Sequence, residues 1–241
     1  MNSTNVQEHN DRLQINAILG KEKLFVSKGA MHWSQMTGKM YGKRAIGRPM
    51  TSRCLENQKI DGCICQKCYA TRINQVYPAM GTALQRNRDV TWESIVEFPA
   101  VFTDIDPTWR SNWNGDYEDE RDVLVDFNLC NSMPSYICTA WTKQIEIVER
   151  LIDSGIKKPI NYTLMQSSPM INHRQKRSHV ADQVFTIYTA EYAAANNVKI
   201  NCIGACRLCK RCYGDMSTRP RLVNELLKGE EAKYFKLMGF E

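Results

Sequence analysis

Eight of the ten cysteines fall into two tight runs, and that crowding constrains the fold more than any other feature of the chain. The first run holds Cys54, Cys63, Cys65 and Cys68 and ends in CICQKCYATR; the second, CIGACRLCKRCY, holds Cys202, Cys206, Cys209 and Cys212. Each contains the pattern Cys-x-cation-Cys-Tyr. Thiols at that density do not make one apolar face of a helix or strand, so they belong to loops that close around something bound by sulfur. The N-terminal MNSTNVQEHNDRLQ lacks the basic-then-apolar order of a signal peptide, and no stretch reaches the roughly 18 apolar residues of a membrane span. The expectation is a cytoplasmic protein with no membrane partner, where reducing conditions disfavour structural disulfides and leave metal binding or redox chemistry to explain clustered thiols. Cys130 and Cys138 stand apart and read as small buried hydrophobes.

The second run has gaps of three, two and two residues, close to the dense spacing that wraps a four-iron cubane. Zinc also takes four thiolates, more often from two separated Cys-x-x-Cys knuckles. In the first run Cys65 and Cys68 form a tight pair, Cys63 lies too near Cys65 to be an ordinary third ligand, and Cys54 lies further back. Three thiolates on a four-iron cluster leave one iron open to a small molecule; four close it. The spacing therefore predicts one or two 4Fe-4S clusters. The alternative is a single zinc joining Cys65, Cys68, Cys209 and Cys212, in a protein that binds nucleic acid without catalysis.

A chain of 241 residues suits one globular domain, read as a flexible N-terminus over residues 1–20 and a single α/β domain over 21–241. Strands are expected at LFVS (24–27), VLVDFNL (123–129), PINYTLM (159–165), VFTIYT (184–189) and VKINCI (198–203). Helices are expected over Pro78 to Asn87, in WTKQIEIVERLIDSG, in TAEYAAANN, and in the C-terminal LVNELLKGEEAKYFKLMGF with a break near Gly229. Strand, helix and strand in succession predict parallel pairing, hence an α/β sheet or partial barrel. Chemistry in such folds gathers in loops at the carboxyl ends of the strands, which is where the second run would leave VKINCI and where both runs could meet.

The formal charge is +6, and it is unevenly spread. Between Lys157 and Ala181 five basic residues, Lys157, Lys158, Arg174, Lys176 and Arg177, meet no acid, so they are candidate contacts for phosphate, a nucleotide or nucleic acid, or else a solvated loop. His173 and His179 flank the same stretch. Tyr69 and Tyr213 each follow a cysteine and either shield a cofactor or simply pack. Asp126 and Asn128 would share one side of a strand at VLVDFNL, and the serines of QSSP would sit at a strand end.

CQKCYATR resembles the Cys-x-x-Cys-Tyr-Ala-x-Arg ending of the cluster motif in some radical S-adenosylmethionine enzymes, particularly the spore photoproduct lyase-like branch. More broadly, TGKMYGKRAIGRPMTSRC, the CYATR run, VYPAMGTALQRN and the late INC with three further cysteines are similar to the phage "gene product 88" family, from Thr37 to Tyr213. The resemblance implies a radical S-adenosylmethionine-like partial barrel, a 4Fe-4S cluster near the early cysteines, bound S-adenosylmethionine and a phage or prophage origin. It puts Cys65 and Cys68 on the paired ligands and Cys54 on the earlier one, with Cys63 as a replacement or an extra thiol and Tyr69 beside the cofactor. The chain departs from the wider pattern: Lys67 stands where an aromatic usually precedes the last ligand, and CNSMPSY follows VLVDFNL in place of a Gly-Gly-Glu-type stretch.

Overall fold

The computed structural model describes residues 31–36, 40, 43–89, 107–202, 204–209, 211–213 and 219–239. In chain order the elements are β1 (Ser34–Gln35), β2 (Arg44–Ile46), α1 (Ser52–Asn57), a 3-10 turn (Ile64–Lys67), α2 (Tyr69–Val76), α3 (Pro78–Asp89), β3 (Thr108–Ser111), α4 (Glu120–Ser132), β4 (Ile137–Thr142), α5 (Ile145–Asp153), β5 (Tyr162–Ser167), β6 (Gln183–Tyr188), α6 (Ala190–Ala195), α7 (Cys206–Cys209), β7 (Leu222–Leu226) and α8 (Glu231–Leu237). The strands lie in one sheet in sequence order, β1 to β7. β1 is antiparallel to β2, and β2 through β7 are parallel throughout. The result is an α/β protein with a six-stranded parallel sheet, an arrangement compatible with a partial α/β barrel.

Alternation along the strands sends residues to two faces. Trp109, Cys138, Ala140, Tyr162 and Leu164 point to the main core, where they meet Val123, Leu124 and Phe127 of α4 and Val148 and Leu151 of α5. On the opposite face Arg110, Thr139 and Thr163 stand in register across β3, β4 and β5. That face continues through Met165, Phe185 and Val223, against which Cys202 and Cys212 pack. Parallel strands buried on both faces explain the continuous burial of β5, all six of whose residues are shielded.

Several sequence expectations meet the structure directly: the strands at β5 and β6, the helices at α3, α5 and α6, and the break at Gly229, which adopts φ 89°. Two are corrected. VLVDFNL is not a strand but the middle of α4, because Asp119 caps the helix by accepting from the Arg121 N–H and Glu120 and Asp122 occupy the first turn. Its β-branched residues favoured a strand locally, but the capped start and burial of Val123, Leu124 and Phe127 against the sheet decide for a helix. Asp126 and Asn128 therefore belong to a helix. VKINCI is likewise not a strand; its place in the sheet is taken by LVNEL, read from sequence as helix, which pairs with β6 as β7. Asn201 binds the β7 backbone through side-chain amide bonds, at 2.8 Å from the Asn224 N–H and 2.9 Å to the Leu222 carbonyl. The LFVS segment lies outside the described residues. Cys130 and Cys138 are fully buried in the main core.

Candidate functional site

The first cysteine run sits beyond the carboxyl ends of β2, β3 and β4. β2 ends at Ile46, and the chain passes through Gly47, Arg48 and Pro49 to Thr51, whose hydroxyl caps α1 by accepting from the Cys54 N–H at 3.0 Å. The same hydroxyl accepts from the Gln144 side-chain amide at 3.0 Å, tying α1 to the residue pair that follows β4. Cys68 is the residue before α2, and its N–H donates to the Cys65 carbonyl at 3.1 Å across the 3-10 turn. Cys63, fully buried, forms an isolated bridge with Met170 beyond β5, which pins the run to a third loop.

Lys143 is the centre of this group. Its backbone N–H donates to Asp116 at 2.9 Å, so it is held at the top of β4. Burial works against its charge, but Cys65, Asp116, Cys68 and Cys54 around it outweigh burial and hold its pKa above the ordinary lysine value. Cys65 is pushed up to about 12, by burial first, against the pull of Lys143 and with further elevation from Cys63 and Cys68. Burial also pushes the Cys54 thiol up, with the Thr51 hydroxyl pulling it back. Asp116 accepts from the Thr142 hydroxyl at 2.6 Å and the Tyr117 N–H at 2.8 Å; burial raises its pKa against these donors and Lys143. Thus Cys54, Cys65 and Cys68 each act electrostatically on one cation, whereas Cys63 is a hydrogen-bonding neighbour of Cys65.

Underneath lies a buried polar anchor. Arg48 is fully buried and donates to Ser111 (2.8 Å), Asn112 (2.7 Å), the Asp122 carbonyl (3.0 Å) and Asp126 (2.7 Å). The Tyr117 hydroxyl donates to the other Asp126 oxygen at 2.6 Å and meets the Tyr162 hydroxyl at 2.7 Å. Gly115, at φ 70°, lets the 112–117 loop press on this anchor: a Cβ there would stand 2.2 Å from the Pro49 carbonyl oxygen.

The second run occupies the opposite sheet face. Thr139 donates to the Cys212 carbonyl at 2.9 Å, and the Cys202 N–H donates to the Asn224 carbonyl at 3.0 Å. Cys212 is pushed up to about 12 by burial, then by Cys202, Cys206 and Cys209, with Arg110 pulling it down. Tyr213 is buried, with the Lys43 ammonium 4.2 Å over its ring. The dominant thiol neighbours of each run are its own: Cys63 and Cys68 for Cys65, and Cys202, Cys206 and Cys209 for Cys212.

The other expected residues are scattered. Tyr69 is half exposed; its hydroxyl donates to the Trp113 carbonyl and its ring stacks on Trp113 with centroids 6.5 Å apart. Lys158 is paired with Asp182 at 2.7 Å, and Arg177 donates to the Ala181 carbonyl at 2.6 Å. Lys157, Arg174, Lys176 and His173 are exposed. His179 faces Asp153 and Glu149. Of the QSSP serines, Ser168 meets the Thr186 hydroxyl at 3.3 Å. Lys143, Asp116, Arg48 and Arg110 escaped the sequence reading; the available signal was a charged residue at the junction of a strand and a helix, as in WTKQ.

None of the ten cysteines is joined in a disulfide. Among the described residues no three His, Cys, Asp or Glu side chains are arranged closely enough to enclose a metal ion. The chemistry of the donor sets nonetheless suits a thiophilic metal: each run offers several neighbouring thiols, beside Lys143 in one case and Arg110 in the other. Among the described residues no helix is long and apolar enough to cross a membrane. These features define an α/β protein with a parallel sheet and two thiol-rich sites. Comparison of the chain with protein-family models, with curated proteins and with solved structures finds no match.

Proposed function

We propose that the protein is an iron-sulfur enzyme of the radical S-adenosylmethionine-like kind, acting on a nucleotide, nucleic acid or other anionic substrate. The observation that carries the reading is that Cys54, Cys65 and Cys68, placed at the carboxyl ends of the strands, all bear electrostatically on Lys143. Three thiols from two helix starts and a turn would supply three ligands to a 4Fe-4S cluster on closing around it. When bound, such a cluster supplies one-electron reduction of a cofactor at its open iron.

The chain's own residues then have separable tasks. Thr51 fixes the α1 start that presents Cys54, and Gln144 ties that start to β4. Lys143 offers a cation at the same spot, suited to the carboxylate of an amino-acid-type cofactor. Asp116, held by the Thr142 hydroxyl and two backbone N–H groups, orients Lys143 through its backbone. The sequential parallel strand order is the topology a partial barrel of the radical S-adenosylmethionine type would use.

The test is anaerobic purification followed by iron and sulfide analysis and reduction with S-adenosylmethionine. Near-equal iron and sulfide with release of 5′-deoxyadenosine is the expected result. A colourless protein with stoichiometric zinc, or a loaded protein that never cleaves the cofactor, overturns the reading.

A further inference from the structure

The second run has a setting that the reading of the first site does not use. We infer that Cys202, Cys206, Cys209 and Cys212 form a metal centre of their own, a negatively charged four-thiolate complex whose charge Arg110 balances. This deepens the iron-sulfur reading and rests on it only for the identity of the metal.

Three observations carry the inference. The first is separation. Cys212 is anchored through its carbonyl to Thr139 in β4, and Lys143 lies four residues further along the same chain segment. At roughly 3.3 Å per strand residue the two backbone anchors are about 13 Å apart along β4, so the two runs are tethered at different levels of the strand.

The second is Arg110. It projects from the middle of β3, in register with Thr139, onto the face that carries the quartet. Its guanidinium lies 4.5 Å over the Trp141 ring and one terminal nitrogen meets the Met40 sulfur at 3.1 Å, while its Nε is buried with no hydrogen-bond acceptor. Among the described residues no carboxylate pairs with it. A guanidinium partly withdrawn from water beside an indole and a thioether, with its Nε unpaired, is favoured by a nearby anion. Four thiolates on a divalent metal, or on a cubane of charge +2, carry a net charge of about −2 and supply that anion.

The third is the lining. Cys202 and Cys212 pack on Met165, Phe185 and Val223, an apolar wall that would shield one side of a metal held by the partly exposed thiols. The buried Tyr213 hydroxyl lies beside Cys206 and Cys212 with the Trp141 side chain as its neighbour, so the polar tip nearest the sulfurs is a single hydroxyl.

The experiment uses the full chain, loaded anaerobically with iron and sulfide, and separately with zinc. Three variants are compared with the parent: Cys54→Ala/Cys65→Ala/Cys68→Ala, Cys206→Ala/Cys209→Ala, and Arg110→Met, each checked for folding by circular dichroism. Each cysteine variant is expected to keep about half of the parent's metal. Arg110→Met is expected to keep all of it, with one of two reduction potentials moved to lower values, because loss of a nearby positive charge disfavours the added electron. If the quartet takes zinc, one zinc per chain survives the first variant and is lost in the second, which still supports a separate four-thiolate centre, and Arg110→Met then releases it faster to a chelator. Full metal retention in Cys206→Ala/Cys209→Ala, loss of all metal from a folded Cys54→Ala/Cys65→Ala/Cys68→Ala chain, or an Arg110→Met protein unchanged in both potential and metal release overturns the inference. Two centres that form without any cofactor cleavage would sink the proposed activity and leave this inference standing.

Discussion

Replacing Arg48 with methionine tests the load carried by the anchor beneath the first site. Methionine keeps an unbranched apolar stem but removes a guanidinium that contacts Asp126 at 2.7 Å, Asp122 at 3.3 Å and three further acceptors. Asp126 is fully buried, so among the described residues its carboxylate is left with the Tyr117 hydroxyl. Burial opposes the Arg48 charge, but Asp126 and Asp122 outweigh it and keep the guanidinium protonated. Removing one partner of a buried pair costs about 3–5 kcal/mol, because the survivor stays desolvated. At roughly 2–4 °C per kcal/mol for a chain of this size, the melting temperature of the metal-free protein should fall by about 6–20 °C. Arg48→Met/Asp126→Leu should recover most of that loss, since an apolar pair of similar volume often replaces a buried ion pair at little cost. The assay is thermal unfolding followed by far-UV circular dichroism at neutral pH. A single variant that loses less than about 1 kcal/mol, or a double variant worse than the single, would refute the reasoning. Arg48 also fixes the backbone that leads into α1, so the first site should lose metal while the second keeps it.

Lys143→Met should leave iron at the first site intact and lower cofactor cleavage at subsaturating cofactor by about tenfold, equivalent to about 1.4 kcal/mol; unchanged turnover would remove Lys143 from the proposed role. Thr51→Ala removes the hydroxyl that caps α1 and accepts from Gln144, and should cost about 1 kcal/mol in urea unfolding. Gly115→Ala meets both a positive φ and a 2.2 Å clash with backbone, and should exceed that loss; equal stability would mean the loop is free to move. The pH dependence follows from burial of Cys65 and Cys212, each pushed up to about 12. Folded-state values above the unfolded value of roughly 8.5 stabilise the metal-free fold below that pH, and the contribution is lost as pH rises from there towards 12. Urea midpoints should therefore fall above about pH 8.5 in metal-free protein and less in loaded protein, whose sulfurs have already lost their protons.

What was legible in the sequence was whatever local pattern and tertiary context agree on. Of the expected stripe Ile145, Val148, Leu151 and Ile152 in α5, Val148 and Leu151 reach the core while Ile145 and Ile152 pack at its edge and Ile147 joins them inside, and β5 and β6 lie where β-rich runs meet turn residues. The thiol groups were legible too, because spacing alone keeps Cys202, Cys206, Cys209 and Cys212 within reach of each other. The failures have a common cause. In β7, LVNEL has no strand signal of its own and becomes one by pairing residue for residue with β6, Val223 opposite Phe185 and Leu226 opposite Tyr188. In α4, a run of β-branched residues becomes helical because the Asp119 cap and the face packed on β4 and β5 favour it. TWRS in β3 is too short to read, yet it delivers Arg110.

The basic stretch shows how sequence proximity can mislead about a site. Its five cations look like one patch in the chain, but β5 intervenes, and six strand residues separate its ends by roughly 17 Å. Lys157 and Lys158 precede β5, where Lys158 is already neutralised by Asp182, and Arg177 folds back onto the Ala181 carbonyl on the same side. Arg174 follows Asn172, which binds Thr189 beyond the carboxyl end of β6, and precedes Gln175, whose N–H reaches Ser168 just past β5. Arg174 and Lys176 therefore lie on a loop tied to the carboxyl-end rim, since the Lys176 carbonyl also accepts from the Gln166 side chain at 3.2 Å near the end of β5. An anionic substrate held at that rim has these two cations as the nearest part of the basic stretch. Charge removal there should weaken its binding and flatten the salt dependence, whereas removal at Lys157 should change neither.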